Sequence, residues 1–177
     1  LELKEANMRT EKILIPSILV ISLLLFAFLS PKLTPFDISE QNLMIAKNAP
    51  SLSHIMGTDI YGRDMFSRVI AASRISVFSA LAVVLLMSIT GVIVGLFCGY
   101  LGGIADTALM RVSDIFLAFP GLVLAIAAAG LFQNGMFGAI IALASVGWPR
   151  YARLARGLVL STKTSTYINA ARLSGSN

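Results

Sequence analysis

The sequence predicts an all-α membrane protein with several transmembrane helices, and three observations support this fold class. Of the 177 residues, 56% are hydrophobic and 13% are charged, whereas about a quarter of an average soluble domain is charged. The mean hydropathy is +0.83. Residues 13–31, 75–104 and 115–149 carry no charge, lack the polar face of a soluble helix and are long enough to cross about 30 Å of hydrocarbon.

The first predicted span covers residues 13–29 and follows a short N-terminal tail, residues 1–12. This apolar stretch is longer than the core of a secretory signal peptide, and Pro31 and Lys32 follow it in place of a small-residue cleavage site. We therefore expect a first span that is retained in the mature protein.

A polar loop, residues 30–76, follows the first span. Its prolines and the cluster at residues 57–64 predict turns. From Asp64 onward, apolar residues recur at helical spacing and Asp64 is suited to cap a helix N-terminus. We expect a short amphipathic helix that lies along the membrane surface.

The transmembrane core, residues 77–166, contains the second span at 77–101, the third at 115–132 and the fourth at 136–154. With the N-terminus inside, nine Lys and Arg residues lie on the inner side and five on the outer side. Cytoplasmic loops are enriched in Lys and Arg, so the count favours a cytoplasmic N-terminus.

Small residues on the second span predict close helix packing. Four glycines follow at intervals of four and share one edge of a helix: Gly91, Gly95, Gly99 and Gly103. Since apolar burial drives no association within lipid, such an edge favours contact between backbones. Residues 121, 125 and 129 form a weaker stripe of the same kind.

Several function classes are excluded or disfavoured. No span carries a charge at its middle, which argues against an ion-coupled carrier. The lone Cys98 can form no disulfide within the chain and is expected to be a small buried residue. The lone His54 gives no zinc-type metal site and is expected at the surface. The net charge of +5 is scattered along helix flanks without an aromatic-basic patch, so it indicates lipid and not nucleic acid as the partner. No titratable cluster in the spans indicates catalysis, and no cofactor is expected.

Three stretches resemble the C-type permease subunit of ABC importers for dipeptides, oligopeptides and nickel. Residues 54–68 resemble the family's G-T-D-x-x-G-R-D-x-x-S-R signature, residues 99–120 its inner connection between spans two and three, and residues 148–175 its fourth span followed by an E-A-A-x-x-x-G segment. The first stretch is the extracytoplasmic motif, with the residues Gly57, Thr58, Asp59, Gly62, Arg63, Asp64 and Arg68.

The resemblance implies a type I ABC importer permease in a bacterial inner membrane that couples ATP hydrolysis on two separate subunits to inward transport. No phosphate loop occurs in this chain. A homologous second permease and an extracytoplasmic substrate-binding protein are the other implied partners. The segment 167–177 would begin the cytoplasmic ATPase-docking helix, with the residues Tyr167, Asn169, Ala170, Ala171, Arg172 and Gly175. Asn169 stands where the family has Glu, so the negative charge is lost.

Four alternatives stay open at this point. The cluster at 57–64 favours a structural turn, in which Asp59, Arg63 and Asp64 neutralise one another, over a cation site or a contact with the binding protein or the partner permease. Arg150, Arg153 and Arg156 favour snorkelling to headgroups over contact with the ATPase. A membrane channel or assembly subunit without an ATPase is the competing function. Peptide and nickel systems share all three stretches, so the substrate is undecided.

The family has six spans and four are predicted here. We therefore expect that the sequence represents a fragment of a longer permease or a truncated gene, without the fifth and sixth spans.

Overall fold

The computed structural model describes residues 2–132 and 135–175, with side chains described for residues 12–132, 135–170 and 173–175. Within these ranges every regular element is a helix, and residues 58 and 64 form an isolated antiparallel bridge. The helices are α1 (Glu2–Leu33), α2 (Met65–Leu101), α3 (Gly103–Ala118), α4 (Gly121–Leu131), α5 (Gly135–Lys163) and α6 (Thr166–Leu173). The chain divides into two compact units, residues 1–79 and 80–177. The predicted all-α class is confirmed.

Two helical segments of the described residues are long and apolar enough to cross a membrane, Lys12–Leu33 and Met65–Leu101. Helices α3 and α4 meet the same criterion only as a pair bent by 99°. If this bent pair is counted as one span, the described residues contain up to three spans. Four spans were predicted, and α5, the predicted fourth, is not among these segments.

Helix α1 presents apolar side chains outward along most of its length, including Ile13, Leu23 and Phe28. Such a surface is unfavourable in water and compatible with lipid. The helix begins at Glu2, so residues 2–12, which were predicted as part of a tail, are helical. On the packed side of α1, Ala27 and Ser30 are fully buried.

Helix α2 begins directly after Asp64, which accepts a hydrogen bond of 2.7 Å from the backbone N–H of Ser67. This bond is the N-cap that the sequence predicted. The helix then continues without interruption to Leu101. The expectation of a separate surface helix before a second span is therefore wrong, since no helix-breaking residue stands between residues 70 and 80.

The breaks that flank α3 have backbone causes. Gly102 and Gly103 take φ values of +66° and +67°, which L-residues with a side chain rarely adopt. At the other end, Phe119 is extended because it precedes Pro120. The prediction of a continuous third span over residues 115–132 is wrong, since the chain bends at this proline.

Helix α5 packs against α3, α4 and α6. Its buried residues are small or cyclic: Gly138, Ala142, Pro149, Ala152 and Ala155. Cys98 on α2 is 1% exposed, as expected of a small buried residue. The core of residues 80–177 is therefore built on close helix contacts and few large side chains.

Candidate functional site

The predicted docking segment forms a short helix directly after α5. The connection is tight, because Ser165 donates its backbone N–H to the carbonyl of Thr162 at 3.0 Å and α6 starts at Thr166. The side chain of Asn169 donates to the carbonyl of Thr164 at 3.4 Å. An amide can make this bond to a carbonyl and a carboxylate cannot, so Asn169 has a local role that the family's Glu could not fill.

Helix α6 ends at Leu173 and is followed by a glycine in the left-handed conformation. Gly175 has a φ of +88°, the left-handed conformation common after the last turn of a helix. On the surface of α6, Tyr167 is 65% and Leu173 is 90% exposed, and Ala170 is also exposed. The side chains of Ala171 and Arg172, two further predicted docking residues, lie outside the described residues.

Two arginines at the end of α5 form ion pairs with α3. Arg156 donates from Nε and Nη2 to the two carboxylate oxygens of Asp106, at 2.5 and 2.6 Å. Arg153 pairs with Asp114, which also lies 3.9 Å from Arg111. For Arg153 and Arg156 the snorkelling prediction is therefore wrong, because their guanidinium groups bind carboxylates of the same chain.

Arg150 lies elsewhere. It lines a cavity at the bend between α3 and α4, together with Phe119, Pro120 and Gly121. Among the described side chains, no carboxylate lies within 4.0 Å of its guanidinium group.

Three of the four predicted packing glycines face α5. A Cβ added to Gly91 would lie 2.5 Å from the carbonyl oxygen of Trp148, and one added to Gly95 would lie 2.7 Å from the Cβ of Ala155. A Cβ on Gly99 would lie 2.7 Å from that of Val159. These distances are too short for any side chain, so α2 and α5 meet backbone to backbone at this seam.

Gly103 corrects the prediction of a four-glycine edge. It lies beyond the end of α2, and nothing stands within 4 Å of a Cβ added to it. Gly103 instead provides the positive φ that separates α2 from α3. Its role is conformational, and packing does not require it.

The predicted extracytoplasmic motif closes a compact turn in the loop after α1. Gly57 and Gly62 have φ values of +70° and +71°. A Cβ on Gly57 would lie 2.5 Å from the carbonyl oxygen of Asn48, so the two backbone segments are in contact. Thr58 accepts from the N–H of Asn48 at 3.0 Å and donates to the carbonyl of Ile45. The motif thus anchors the preceding loop segment.

Asp59 is the charged centre of this turn. Its carboxylate accepts from the backbone N–H groups of Tyr61 and Arg63 at 2.8 and 3.0 Å, from Arg63 Nε at 2.8 Å and from Arg68. Burial alone would raise the pKa of Asp59, but the bonds and charge of Arg63 and the bond from Tyr61 outweigh it and lower the pKa to about 2.

This carboxylate therefore stabilises the turn over the whole range near neutral pH. Because the pKa of Asp59 is lower in the folded state than its ordinary value of 3.8, the stabilisation is complete above a pH of about 4 and is lost as the pH falls toward about 2.

Asp64 has a different partner from the one expected. The sequence predicted that Asp59, Arg63 and Asp64 neutralise one another, but the buried Asp64 binds His54 Nδ1 at 2.9 Å. Burial would raise the pKa of Asp64, and the bonds from Ser67 and His54 lower it below its ordinary value. His54 is mostly covered and its ring lies 4.8 Å from that of Phe36, so the prediction of a surface histidine is wrong.

The sequence does not predict three sets of side-chain contacts. They are the α3–α5 ion pairs, the His54–Asp64 pair, and the bond of 2.9 Å from Lys163 to the carbonyl of Tyr100. The small residues Ala152 and Ala155 at a spacing of three could have indicated the α5 side of the glycine seam. For the ion pairs the sequence holds the residue types but no signal of which carboxylate meets which arginine.

In the described part of the chain, no group of three or more His, Cys, Asp or Glu residues could hold a metal ion.

Comparison with known proteins gives a family match over the second half of the chain. Residues 91–177 match the family described as "Binding-protein-dependent transport system inner membrane component". The matched segment begins at the first seam glycine and includes the α3–α5 ion pairs and α6.

Curated relatives are similar over most of the chain. The probable D,D-dipeptide transport system permease protein of Escherichia coli (strain K12) is 38% identical over 91% of this chain and 54% of its own length. The nickel transport system permease protein of the same strain is 39% identical over 90% and 58%. The oligopeptide transport system permease protein of Bacillus subtilis (strain 168) is 37% identical over 89% and 52%. The chain spans slightly more than half the length of these relatives.

Proposed function

We propose that the chain, whose residues 91–177 match the binding-protein-dependent transport system inner membrane component family, acts as a transmembrane permease subunit of an ABC importer. It is a multi-pass membrane protein. In this proposal the chain has no active site, and separate ATPase subunits hydrolyse ATP. A homologous permease and an extracytoplasmic substrate-binding protein complete the importer.

The observation that carries the proposal is the position and exposure of α6. This helix follows α5 after two residues, ends at a left-handed glycine and leaves Tyr167, Ala170 and Leu173 exposed. Exposed aromatic and aliphatic side chains on a short helix are suited to dock in a groove of a partner protein. We assign the ATPase as the occupant of this surface.

The proposal requires α6 to be in the cytoplasm. In the predicted four-span topology α6 and the N-terminus lie on the same side, and the excess of Lys and Arg on that side supports this orientation. The loop between α1 and α2 is then extracytoplasmic, where its closed turn at residues 57–64 has the role of a structural support.

We propose that the substrate is a short peptide or a nickel species. The names of the relatives include D,D-dipeptide, oligopeptide and nickel transport systems, and no described residue of this chain distinguishes among them. The affinity of the cognate binding protein for peptides and for nickel is the measurement that decides.

Co-purification tests the docking surface. The tagged protein, extracted in detergent from its native membrane, is expected to bring down an ATPase. Replacement of Ala170 by Trp places a bulky ring on the exposed face of α6 and is expected to reduce ATPase recovery by about tenfold, the loss of about 1.4 kcal/mol of binding free energy.

The matched control is Ala127→Trp, which places the same ring on an exposed position of α4 and is expected to leave ATPase recovery unchanged. Equal recovery from the wild type and the Ala170 variant would contradict the docking role. If the wild-type protein brings down no ATPase at all, the competing function of an ATPase-independent channel or assembly subunit is favoured.

A further inference from the structure

The last turns of α5 are held by three contacts to the helices beside it. Arg153 and Arg156 bind Asp114 and Asp106 on α3. Lys163, the last residue of α5, donates to the carbonyl of Tyr100 in the final turn of α2 and lies 5.7 Å from the centre of the Tyr100 ring. We call this set the α5 clamp.

The spacing of these contacts decides what the clamp can do. Arg153 and Lys163 are ten residues apart in the sequence, which is ~15 Å along a helix axis. The two ion pairs join α5 to carboxylates eight residues apart on α3, and the Lys163 bond joins the end of α5 to α2. A single contact would permit rotation about that point, whereas contacts to two helices over this length resist both rotation and tilting, so the end of α5 and its neighbours move together.

The Asp106–Arg156 pair is the strongest part of the clamp. It is bidentate, with distances of 2.5 and 2.6 Å, and the side chains of Asp106 and Arg156 are only 13% and 33% exposed. Bidentate arginine–carboxylate pairs fix orientation as well as distance. The Arg153–Asp114 pair is about half exposed on both sides, and pairs of that kind contribute less.

The clamp lies between the proposed docking helix and the bend of the membrane segment. Helix α6 follows α5 after two residues, and α3 leads through Phe119 and Pro120 into α4. A displacement of α6 therefore reaches α4 through Arg156, Asp106 and α3. Without the pair, α6 remains connected to α3 mainly through the half-exposed pair and the apolar packing.

We propose that Asp106 and Arg156 are coupling residues, which transmit the movement of α6 to α3 and α4 and so link ATP hydrolysis to transport. This inference rests on the proposed function, because it requires an ATPase on α6. The docking surface alone does not transmit movement from α6 to α3, and Asp106 and Arg156 provide this step.

The experiment uses the assembled importer. It compares variants that lack one charge of the Asp106–Arg156 pair with a variant in which the two charges are exchanged. Asp106→Asn and Arg156→Gln are each expected to keep ATPase co-purification and basal ATP hydrolysis. Each is expected to lower the uptake of a labelled dipeptide or of nickel, whichever the cognate binding protein binds, per ATP hydrolysed by about tenfold, a typical coupling between sites. The exchanged pair, D106R with R156D, restores opposite charges across the same two helices and is expected to recover most of the wild-type ratio.

Asp37→Asn and Arg74→Gln are the matched controls, since they make the same changes at exposed positions outside the clamp and are expected to leave the ratio unchanged. The inference is overturned if the single variants transport with the wild-type ratio, or if uptake falls only in proportion to the amount of assembled complex. It is also overturned if the exchanged pair is no better than the single variants. A wild-type protein that recruits no ATPase contradicts the proposed function itself, and this outcome is visible before any variant is compared.

Discussion

At the scale of single residues, the three seam glycines set how closely α2 and α5 approach. The atoms that a Cβ would meet are backbone atoms of α5, the Cβ atoms of Tyr151, Ala155 and Val159, and Cγ1 of Val159. Backbone and Cβ atoms cannot move aside without moving the helix. Dispersion between closely packed backbones replaces the apolar burial that is unavailable as a driving force within lipid, so each glycine is required by its neighbour across the seam.

We expect Gly95→Ala to destabilise the protein by about 1–3 kcal/mol, the usual cost of an extra methyl group in a packed site. The added methyl group would lie 2.7 Å from the Cβ of Ala155 and 3.0 Å from the N of Arg156. The measurement is thermal unfolding in detergent followed by the fluorescence of the single tryptophan, Trp148, which lies at the same seam.

Gly157→Ala is the control for this variant. It lies in the same helix as Trp148, and nothing stands within 4 Å of its added Cβ. Because alanine favours helix by up to ~1 kcal/mol over glycine, this variant should be neutral or more stable. Equal unfolding temperatures for the two variants would contradict the backbone contact.

At the scale of elements, the bend at Phe119–Pro120 determines the course of α3 and α4. Proline has no N–H to continue the helical hydrogen bonds, and its ring disfavours the helical conformation of the residue before it. The two helices meet at 99°. The bend thus follows from one residue, and the rest of the segment from Gly103 to Leu131 has no other interruption.

We expect Pro120→Ala to lengthen the distance between the ends of this segment. Spin labels at the exposed Ile104 and Leu131 would be about 40 Å apart on a continuous helix and about 28 Å apart at the observed bend, from a rise of 1.5 Å per residue. Pulsed electron paramagnetic resonance measures this distance. The variant should populate the longer distance, since Ala permits Phe119 to become helical.

Pro149→Ala is the matched control, because this proline lies within α5 and outside the labelled segment. The native Cys98 is 1% exposed and should take no label, which the unsubstituted protein checks. A distance that is the same in the wild type and in Pro120→Ala would show that packing against α5, and not the proline, holds the bend.

At the scale of the whole molecule, the proposed orientation places α6 and the loop between α1 and α2 on opposite sides of the membrane. Cysteines introduced at Ser165 and at Ser39 are therefore expected to react differently with a thiol reagent that does not cross membranes. In intact cells Ser39→Cys should be labelled, and Ser165→Cys should be labelled only after the membrane is opened. Labelling of Ser165→Cys in intact cells would exclude contact of α6 with a cytoplasmic ATPase.

Much of the fold could be predicted, because long uncharged stretches and the Asp64 cap act locally. The sequence does not predict the continuity of α2, because a change from polar to apolar residues is typical of a boundary, although the backbone has no reason to break there. The bend at Pro120 was missed because the uncharged run continues across it. For the site, the position of α6 was predictable from its motif. The pairing of Asp106 with Arg156 was not, since residues 50 positions apart in the sequence meet only through the packing of α3 on α5.

The closed turn at residues 57–64 has a consequence for the order of folding. Its hydrogen bonds join residues between 42 and 68, so the loops that must close are short. Structures with low contact order form quickly. We therefore expect this polar turn to be complete early in biogenesis, while the glycine seam must wait until the chain between α2 and α5 has entered the membrane.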